Sequence, residues 1–516
     1  MRLAALDLGT NSFHLLVAEV TRDGDIVPIV REKEMLRLGD VVSREGSVPE
    51  ADLERAVACA RRMHLLADRA GAQEVLARAT SAFRLAENGA QLVDRIEEAT
   101  GIEVEVISGL TEARLIFGAI RASVMLEPSP ALCFDLGGGS LEVMVGDAGG
   151  LRWSTSENLG VGRLTADLVR DDPPSKADRK RLRRHLVDAL DPVARTVLAL
   201  EPKLVIGSSG TLEDLAHMVA ARRKEDVPVS LNQLTFTRDE FSPLHEEILS
   251  STAEARRKME GLDTRRAELI PAGSMFLDVA MELFEFDELT VSEWALREGI
   301  VLDAIRRHDP DDWSDDPRGI RRASVTNLAR RCNWSEEHAR HVTRLALQLF
   351  DQTVALHELG DHDRELLEYA GLLHDIGEHV STDAHHKHAA YLVKHGQLRG
   401  FSPDEVQILA AVVRWHRRGD PKPSEEHFGA LNEVDRHRAR TLAALLRLAD
   451  GLDRGRSQVV GSVDARVTPE HVLVRVRPVG NVELELWGAR RKRDLFEKVF
   501  DRDLEITTQP GTGSTP

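Results

Sequence analysis

Cysteine, aromatic side chains and long apolar runs are all scarce in this 516-residue chain. The three cysteines, Cys59, Cys133 and Cys332, are odd in number, far apart and without CxxC spacing. That pattern excludes a disulfide framework and a thiolate metal site, and it fits a reducing cytoplasm. No apolar run approaches the length needed to cross a bilayer, and the stretch after Met1 lacks a basic region followed by a signal-type apolar block. Neither a membrane span nor an export route is expected. Basic residues are also outnumbered: 68 Lys and Arg stand against 86 Asp and Glu, a formal net charge of -18. General nucleic-acid or membrane-surface binding is therefore disfavoured, whereas a local basic patch could still hold a polyanion. With 42% hydrophobic residues the chain can bury several cores, and its length suggests roughly three or four domains.

What is present begins with LAALDLGTNSFHLLV near the start and CFDLGGGSLEVMV from Cys133. Aligned, Asp7 falls on Asp135, Gly9 on Gly137, Ser12 on Ser140 and Val17 on Val145. Each copy opens a run of alternating strand and helix patterns, so two related α/β domains are expected to face each other across a cleft. A hairpin turn rich in Gly, Ser and Thr directs several backbone N–H groups to one side, which suits phosphate. The turns are therefore candidate phosphate cradles: Gly9, Thr10, Asn11 and Ser12 in the first, Gly137, Gly138, Gly139 and Ser140 in the second. A carboxylate beside phosphate is repulsive unless a cation lies between them. Asp7 and Asp135 thus predict Mg²⁺, or Mn²⁺, shared by the two acids and the phosphate oxygens. GSSGT at 207–211 is a further turn of similar chemistry, weak on its own.

The paired turns resemble those of the actin, Hsp70 and sugar-kinase ATPase superfamily. With ATSAFRLAENG at 79–89, SGLTEARLIFGAI at 108–120 and ALREG at 295–299, the chain resembles the Ppx/GppA family of exopolyphosphatases and guanosine pentaphosphate phosphohydrolases. The resemblance implies two actin-like domains, at 1–122 and 123–308, and places the catalytic base on Glu112, a phosphate-contacting arginine on Arg84 and a further metal-proximal acid on Glu142. Glu112 would open a helix whose Leu115, Ile116, Ala119 and Ile120 pack inward. Arg84 has the planar, multi-donor head that phosphate recognition uses.

The acidic HDPDDWSDDPRG stretch around His308 reads as a linker, and GTGSTP at the end as disordered. Between them, apolar stripes at helical period predict an all-α domain at 318–456, followed by a small α+β unit at 457–510. His341, then His374 with Asp375, then Asp450 resemble the ligand order of HD phosphohydrolases, so a second divalent metal site is expected there; His385, His386, His388 and His416 could widen it. The resemblance leaves two uses open, a bound metal or a metal-free surface that binds polyphosphate. Lys387, His388, Lys394, Arg399, Arg414, Arg417, Arg418 and Lys422 supply basic charge to such a surface.

The leading expectation is Mg²⁺-dependent release of terminal orthophosphate from inorganic polyphosphate. Hydrolysis of guanosine pentaphosphate to the tetraphosphate would use the same residues, and a homodimer is one assembly the sequence allows. A sensor that binds polyphosphate or an alarmone without hydrolysis is the alternative of another class; Asp7, Glu112 and Asp135 together argue against it.

Overall fold

The computed structural model describes residues 1–21, 26–223, 227–308, 317–422 and 426–508. The chain folds as two compact units, Met1–Ile320 and Arg321–Pro516. Most of the linker expected after His308 and all of the GTGSTP terminus lie outside the described residues. Among those described, no helix is long and apolar enough to cross a membrane.

The first unit contains two sheets built on one plan. Strands β1 (Arg2–Leu8), β2 (Ser12–Val20), β3 (Ile26–Met35), β4 (Glu74–Ala79) and β5 (Val104–Val106) form a sheet of order β3-β2-β1-β4-β5. Strands β6 (Ala131–Leu136), β7 (Leu141–Asp147), β8 (Gly150–Glu157), β9 (Leu204–Ser208), β10 (Thr235–Thr237) and β11 (Glu288–Val291) form the other, of order β10-β11-β9-β6-β7-β8. In each, a hairpin pairs its two strands antiparallel and the first strand then pairs parallel with a later one, β1 with β4 and β6 with β9. The duplicated turns thus sit at equivalent places in equivalent sheets.

The period of two along a strand decides where the turn acids point. Ala4, Leu6 and Leu8 enter an outer core with Phe13, Leu15 and Val17, under the helix Glu50–Arg69. Leu3 and Ala5 enter instead a middle core that also takes Ala131, Cys133 and Met144 of the second sheet. Leu132, Phe134 and Leu136 face a third core, beneath the helix Ile270–Leu283. Asp7 continues the row of Leu3 and Ala5, and Asp135 that of Ala131 and Cys133, so both acids lie on the middle side. His14, in step with Leu16, and Glu142, in step with Met144, share it. Two helices fill the middle layer: Gly109–Ser123, through Ile116, Phe117 and Ile120, and Leu296–His308, through Ile300, Val301 and Ala304.

In the second unit, helices Glu336–Gln352, Asp361–Leu373, His385–His395, Pro403–Trp415 and Glu433–Gly451 share one core with the sheet β12 (Val460–Val467), β13 (His471–Pro478) and β14 (Asp503–Thr508), which has that strand order. One core spans both the helices and the strands that follow them.

Candidate active site

A cavity of about 350 Å³ opens at the ends of β1 and β6. Asp7, Gly9, Thr10, Asn11, Ser12, Glu112, Asp135, Gly137, Gly138, Gly139 and Ser140 all line it, which brings together most of the residues singled out from the sequence. The turn carbonyls are tied down on one side: Gly39 N–H donates to Thr10 O, Leu36 and Arg37 N–H to Asn11 O, Val161 N–H to Gly137 O and Gly162 N–H to Gly138 O. In a trans peptide the following N–H points opposite to the carbonyl. The amides of Asn11, Ser12, Gly138 and Gly139 are therefore turned the other way, as a phosphate cradle requires. The turns also meet each other, because a Cβ added at Gly138 would lie 2.3 Å from Asn11 Cγ. A larger residue there would have to displace the Asn11 side chain of the opposite turn.

Glu112 enters from the first turn of its helix. Ser108 caps that helix by accepting from Thr111 N–H, and Glu112 itself is buried. Arg84 Nη1 donates to Glu112 Oε2 at 3.0 Å and to Ile107 O at 2.7 Å. Arg84 is not among the cavity-lining residues; its head group is held by the Glu112 carboxylate and by Ile107 O. Glu142 also lies behind the cavity wall, with 1% exposure, accepting from Ser156 Oγ at 2.7 Å. Its side chain faces inward toward Ser156 and does not reach the lining.

Burial dominates the electrostatics. It lifts Asp7 from 3.8 to about 8, with Glu112 adding to the shift and Arg297 opposing it. It lifts Glu112 from 4.5 to about 7 against the pull of Arg84, and Asp135 from 3.8 to about 6 against a bond from Ser208 Oγ at 2.5 Å. Glu213, also on the lining, rises to about 7 by burial, opposed by Arg266 and Arg297. Such values mark a site short of positive charge. Asp7 Oδ1 is buried without a hydrogen-bond partner, which fits a cation ligand. Among the described residues, the groups of three or more ligand atoms within 4.8 Å of one another lie in the helical unit, and Asp7, Asp135 and Glu142 form no such group. Two carboxylates completed by phosphate and water oxygens nevertheless suit Mg²⁺, which keeps several waters and rarely takes an all-protein cage.

Among the lining residues not singled out from the sequence are four basic side chains. Arg297 opens the Leu296–His308 helix inside ALREG; burial opposes its charge, but Glu298, Glu213, Asp7 and Asp135 hold it on. Lys33, on β3, is pushed down to about 8 by burial and Arg266. Arg266 pairs with Asp214 at 2.9 Å and donates to Gly210 O in the GSSGT turn. His14 lies opposite Asp7 in the hairpin, 2.6 Å from Ser12 Oγ and 3.4 Å from Arg297 Nη1. The repeat held a signal for it, since His14 occupies the place of Glu142. In GSSGT, Ser209 adopts φ 88 and ψ 152 beside the cavity. That conformation, essentially reserved for glycine, costs about 1–3 kcal/mol and is a recurrent mark of functional turns.

In the helical unit His374, Asp375 and Asp450 come together as expected, but His341 does not join them. The residue beside them is His338, one turn earlier on the same helix: its Nε2 is 3.5 Å from Asp375 and 3.8 Å from Asp450. His341 Nδ1 instead meets Arg344 Nη2 at 3.1 Å. His385 and His416 also approach, whereas His386 and His388 belong to neither ligand group. The expected basic face is less open than its sequence implies, because Arg399 is half-buried and pushed down to about 9 by burial, and Arg414 lies over the Trp415 ring at 4.4 Å.

Comparison with known proteins places this geometry. Residues 16–308 match the Ppx/GppA phosphatase family, and residues 320–476 match Ppx/GppA phosphatase, domain III. Exopolyphosphatase 1 of Mycobacterium leprae (strain TN) is 33% identical over 303 residues, 58% of this chain and 89% of that protein. The exopolyphosphatase 1 of Mycobacterium tuberculosis (strain ATCC 25618 / H37Rv) is likewise 33% identical, over 58% of this chain and 88% of its own length. Among solved structures, an exopolyphosphatase from Cytophaga hutchinsonii aligns with a TM-score of 0.57 at 29% identity, over 60% of this chain and 98% of that one. An Aquifex aeolicus Ppx/GppA family member aligns with a TM-score of 0.52 at 28% identity, over 60% and 99%. With paired turns, actin-like sheets and both family matches in agreement, the chain belongs to the Ppx/GppA phosphatase family.

Proposed function

We propose that the chain is an exopolyphosphatase, a Mg²⁺-dependent hydrolase that removes the terminal orthophosphate from inorganic polyphosphate in the cavity between the two sheets. The observation that carries this reading is Glu112: a carboxylate brought by burial to about 7, held by Arg84, on the lining shared with both glycine turns. A base poised near neutral pH is suited to taking a proton from attacking water. The water oxygen would bond to the terminal phosphorus as the bridging P–O bond breaks; the proton passes to Glu112 and the shortened chain leaves with the bridging oxygen. The turn amides orient the terminal phosphoryl group, while Arg297, Arg266 and Lys33 offset its charge. Asp7 and Asp135 would hold the Mg²⁺, which when bound neutralises phosphate oxygens and so permits anion and carboxylates to share the site.

The exopolyphosphatase names of the mycobacterial relatives support polyphosphate over a nucleotide. The test is orthophosphate release from long-chain polyphosphate, guanosine pentaphosphate and ATP side by side, with Mg²⁺ or Mn²⁺ and after chelation. Polyphosphate should be the preferred substrate, and chelation should abolish release. Preference for guanosine pentaphosphate would assign the 5′-phosphohydrolase instead, and binding without release under any divalent metal would make the chain a sensor.

A further inference from the structure

The two serines of GSSGT face different surroundings. Ser209 lines the cavity, whereas Ser208, the last residue of β9, has 0% exposure and does not. Leu204, Ile206 and Ser208 are in step along that strand, and the first two pack toward the middle core. Period two therefore sends the Ser208 side chain to the same side. Parallel pairing sets it beside Asp135, where Ser208 Oγ donates to Asp135 Oδ2 at 2.5 Å. The backbone beneath it is fixed, because β9 also pairs with β11 through Ile206 and Gly207, and Gly207 O accepts from Ser292 N–H at 2.9 Å.

The first copy of the turn has no such donor. Arg78 pairs with Asp7 as Ser208 pairs with Asp135, but its guanidinium turns to Ala77 O at 3.1 Å and to Glu105 Oε2 at 3.1 Å. Asp7 Oδ1 is left without a hydrogen-bond partner. The duplicated acids are thus prepared differently: Asp135 has Oδ2 engaged and keeps Oδ1 as its remaining acceptor. The donor is also neutral, whereas the one that fixes Glu112 is the Arg84 guanidinium. A hydroxyl orients a carboxylate without cancelling the charge that a divalent cation needs, and a short O–H···O⁻ bond is among the stronger ones.

Holding one oxygen limits how the carboxylate can bind. Ca²⁺ readily takes both oxygens of a carboxylate in a flexible shell of about six to eight ligands, whereas Mg²⁺ demands a near-octahedral shell and keeps several waters. On the reading that the reaction is Mg²⁺-dependent, we propose that Ser208 is a positioning residue: it keeps Asp135 a one-oxygen ligand, through Oδ1, and so makes the cavity select Mg²⁺ over Ca²⁺. Ser208 acts through Asp135 and touches neither the phosphate nor the attacking water.

The rival is a hydroxyl that only satisfies itself inside the sheet. Phe134 O, 3.4 Å from the same Oγ, is its other acceptor, a much longer and weaker contact. A purely structural Ser208 would lend stability to the β6–β9 pair and leave the choice between cations untouched. The two roles therefore separate in the ratio of cation affinities, not in stability.

The test is direct cation binding by the full-length chain. After chelation, Mn²⁺ is titrated in and its free fraction read by electron paramagnetic resonance; Mg²⁺ or Ca²⁺ is then added to displace it. The same titration of Asp135→Asn is subtracted, which removes ions held elsewhere. Ser208→Ala should weaken Asp135-dependent Mg²⁺ binding by about 10–100-fold and Ca²⁺ binding by less, so that the preference for Mg²⁺ falls about tenfold. Ser208→Thr, which keeps the hydroxyl, should retain the wild-type preference, and Ser208→Cys, a weaker donor of similar size, should fall between. Circular dichroism of each variant separates a changed ligand from a lost fold. A folded Ser208→Ala or Ser208→Cys with the wild-type ratio of affinities would overturn the proposal while leaving the Mg²⁺ reading intact, as would a folded Ser208→Thr that loses the preference as fully as Ser208→Ala. Absence of any Asp135-dependent binding would overturn the Mg²⁺ reading and this inference with it.

Discussion

Replacing Glu112 by Gln separates the chemical role of this carboxylate from its cost to the fold. The amide keeps the shape of the acid and still accepts from Arg84, which donates to Oε2 at 3.0 Å, but it cannot take a proton from water. A positioned base contributes typically about 10²–10⁴-fold, so turnover should fall by that factor while polyphosphate binding persists. Stability should move the other way. Burial raises Glu112 from 4.5 to about 7, so between those values the unfolded chain has released the proton that the native state still holds. Native stability is therefore lost as pH rises through this window, by up to about 3 kcal/mol at about 1.4 kcal/mol per pH unit. The Gln variant carries no such penalty. In metal-free buffer, chemical denaturation should find it more stable than the wild type by an amount that grows from about pH 5 to about pH 8. Turnover within about tenfold of wild type would refute the assignment of the base. A stability difference independent of pH would refute the account of its environment.

Arg297→Met removes the cation that Asp7 and Asp135 share. Loss of a charge-assisted phosphate contact worth about 1.5–3 kcal/mol should raise KM by about 10–100-fold, and because Arg297 lowers the proton affinity of Asp7, the acidic limb of the rate profile should move to higher pH. Lys33, pushed down to about 8 by burial, loses its ammonium charge as pH rises through that value; KM for polyphosphate should climb there, and Lys33→Met should flatten that rise in steady-state assays. Gly299→Ala places a Cβ 2.2 Å from Leu115 O, in the backbone of the helix that carries Glu112. It should cost about 1–3 kcal/mol in denaturant unfolding and lower kcat more than it raises KM. Gly118→Ala on that same helix meets nothing within 4 Å and should be neutral or stabilising by up to about 1 kcal/mol.

The acids of the cleft were legible because their positions follow from two short-range rules. A repeated turn marks the end of a strand, and period two then assigns Asp7 and Asp135 to the layer occupied by Leu3, Ala5, Ala131 and Cys133. The cations were not legible, because Lys33, Arg266 and Arg297 reach the site from β3, from the segment before Ile270–Leu283 and from the start of Leu296–His308, through tertiary packing alone. In the helical unit, the spacing of EHARH leaves His338 and His341 a turn apart on adjoining parts of one face, and only the positions of Asp375 and Asp453 decide between them.

The repeat also explains why a duplicated fold gives an unsymmetrical site. The hairpins have the same register, so His14 stands opposite Asp7 as Glu142 stands opposite Asp135. Around His14, besides burial, the fields of Arg297, Lys33, Arg266 and Arg265 keep the ring neutral. Around Glu142, burial and then Glu112 and Asp135 press toward protonation. One copy thus gathers cations and the other gathers acids, although their backbones match. A terminal phosphate would bring its negative charge to the first side, and water would meet its base on the second. Divergence at this single paired position, histidine in one copy and glutamate in the other, gives the two turns unlike electrostatic surroundings although their backbones match.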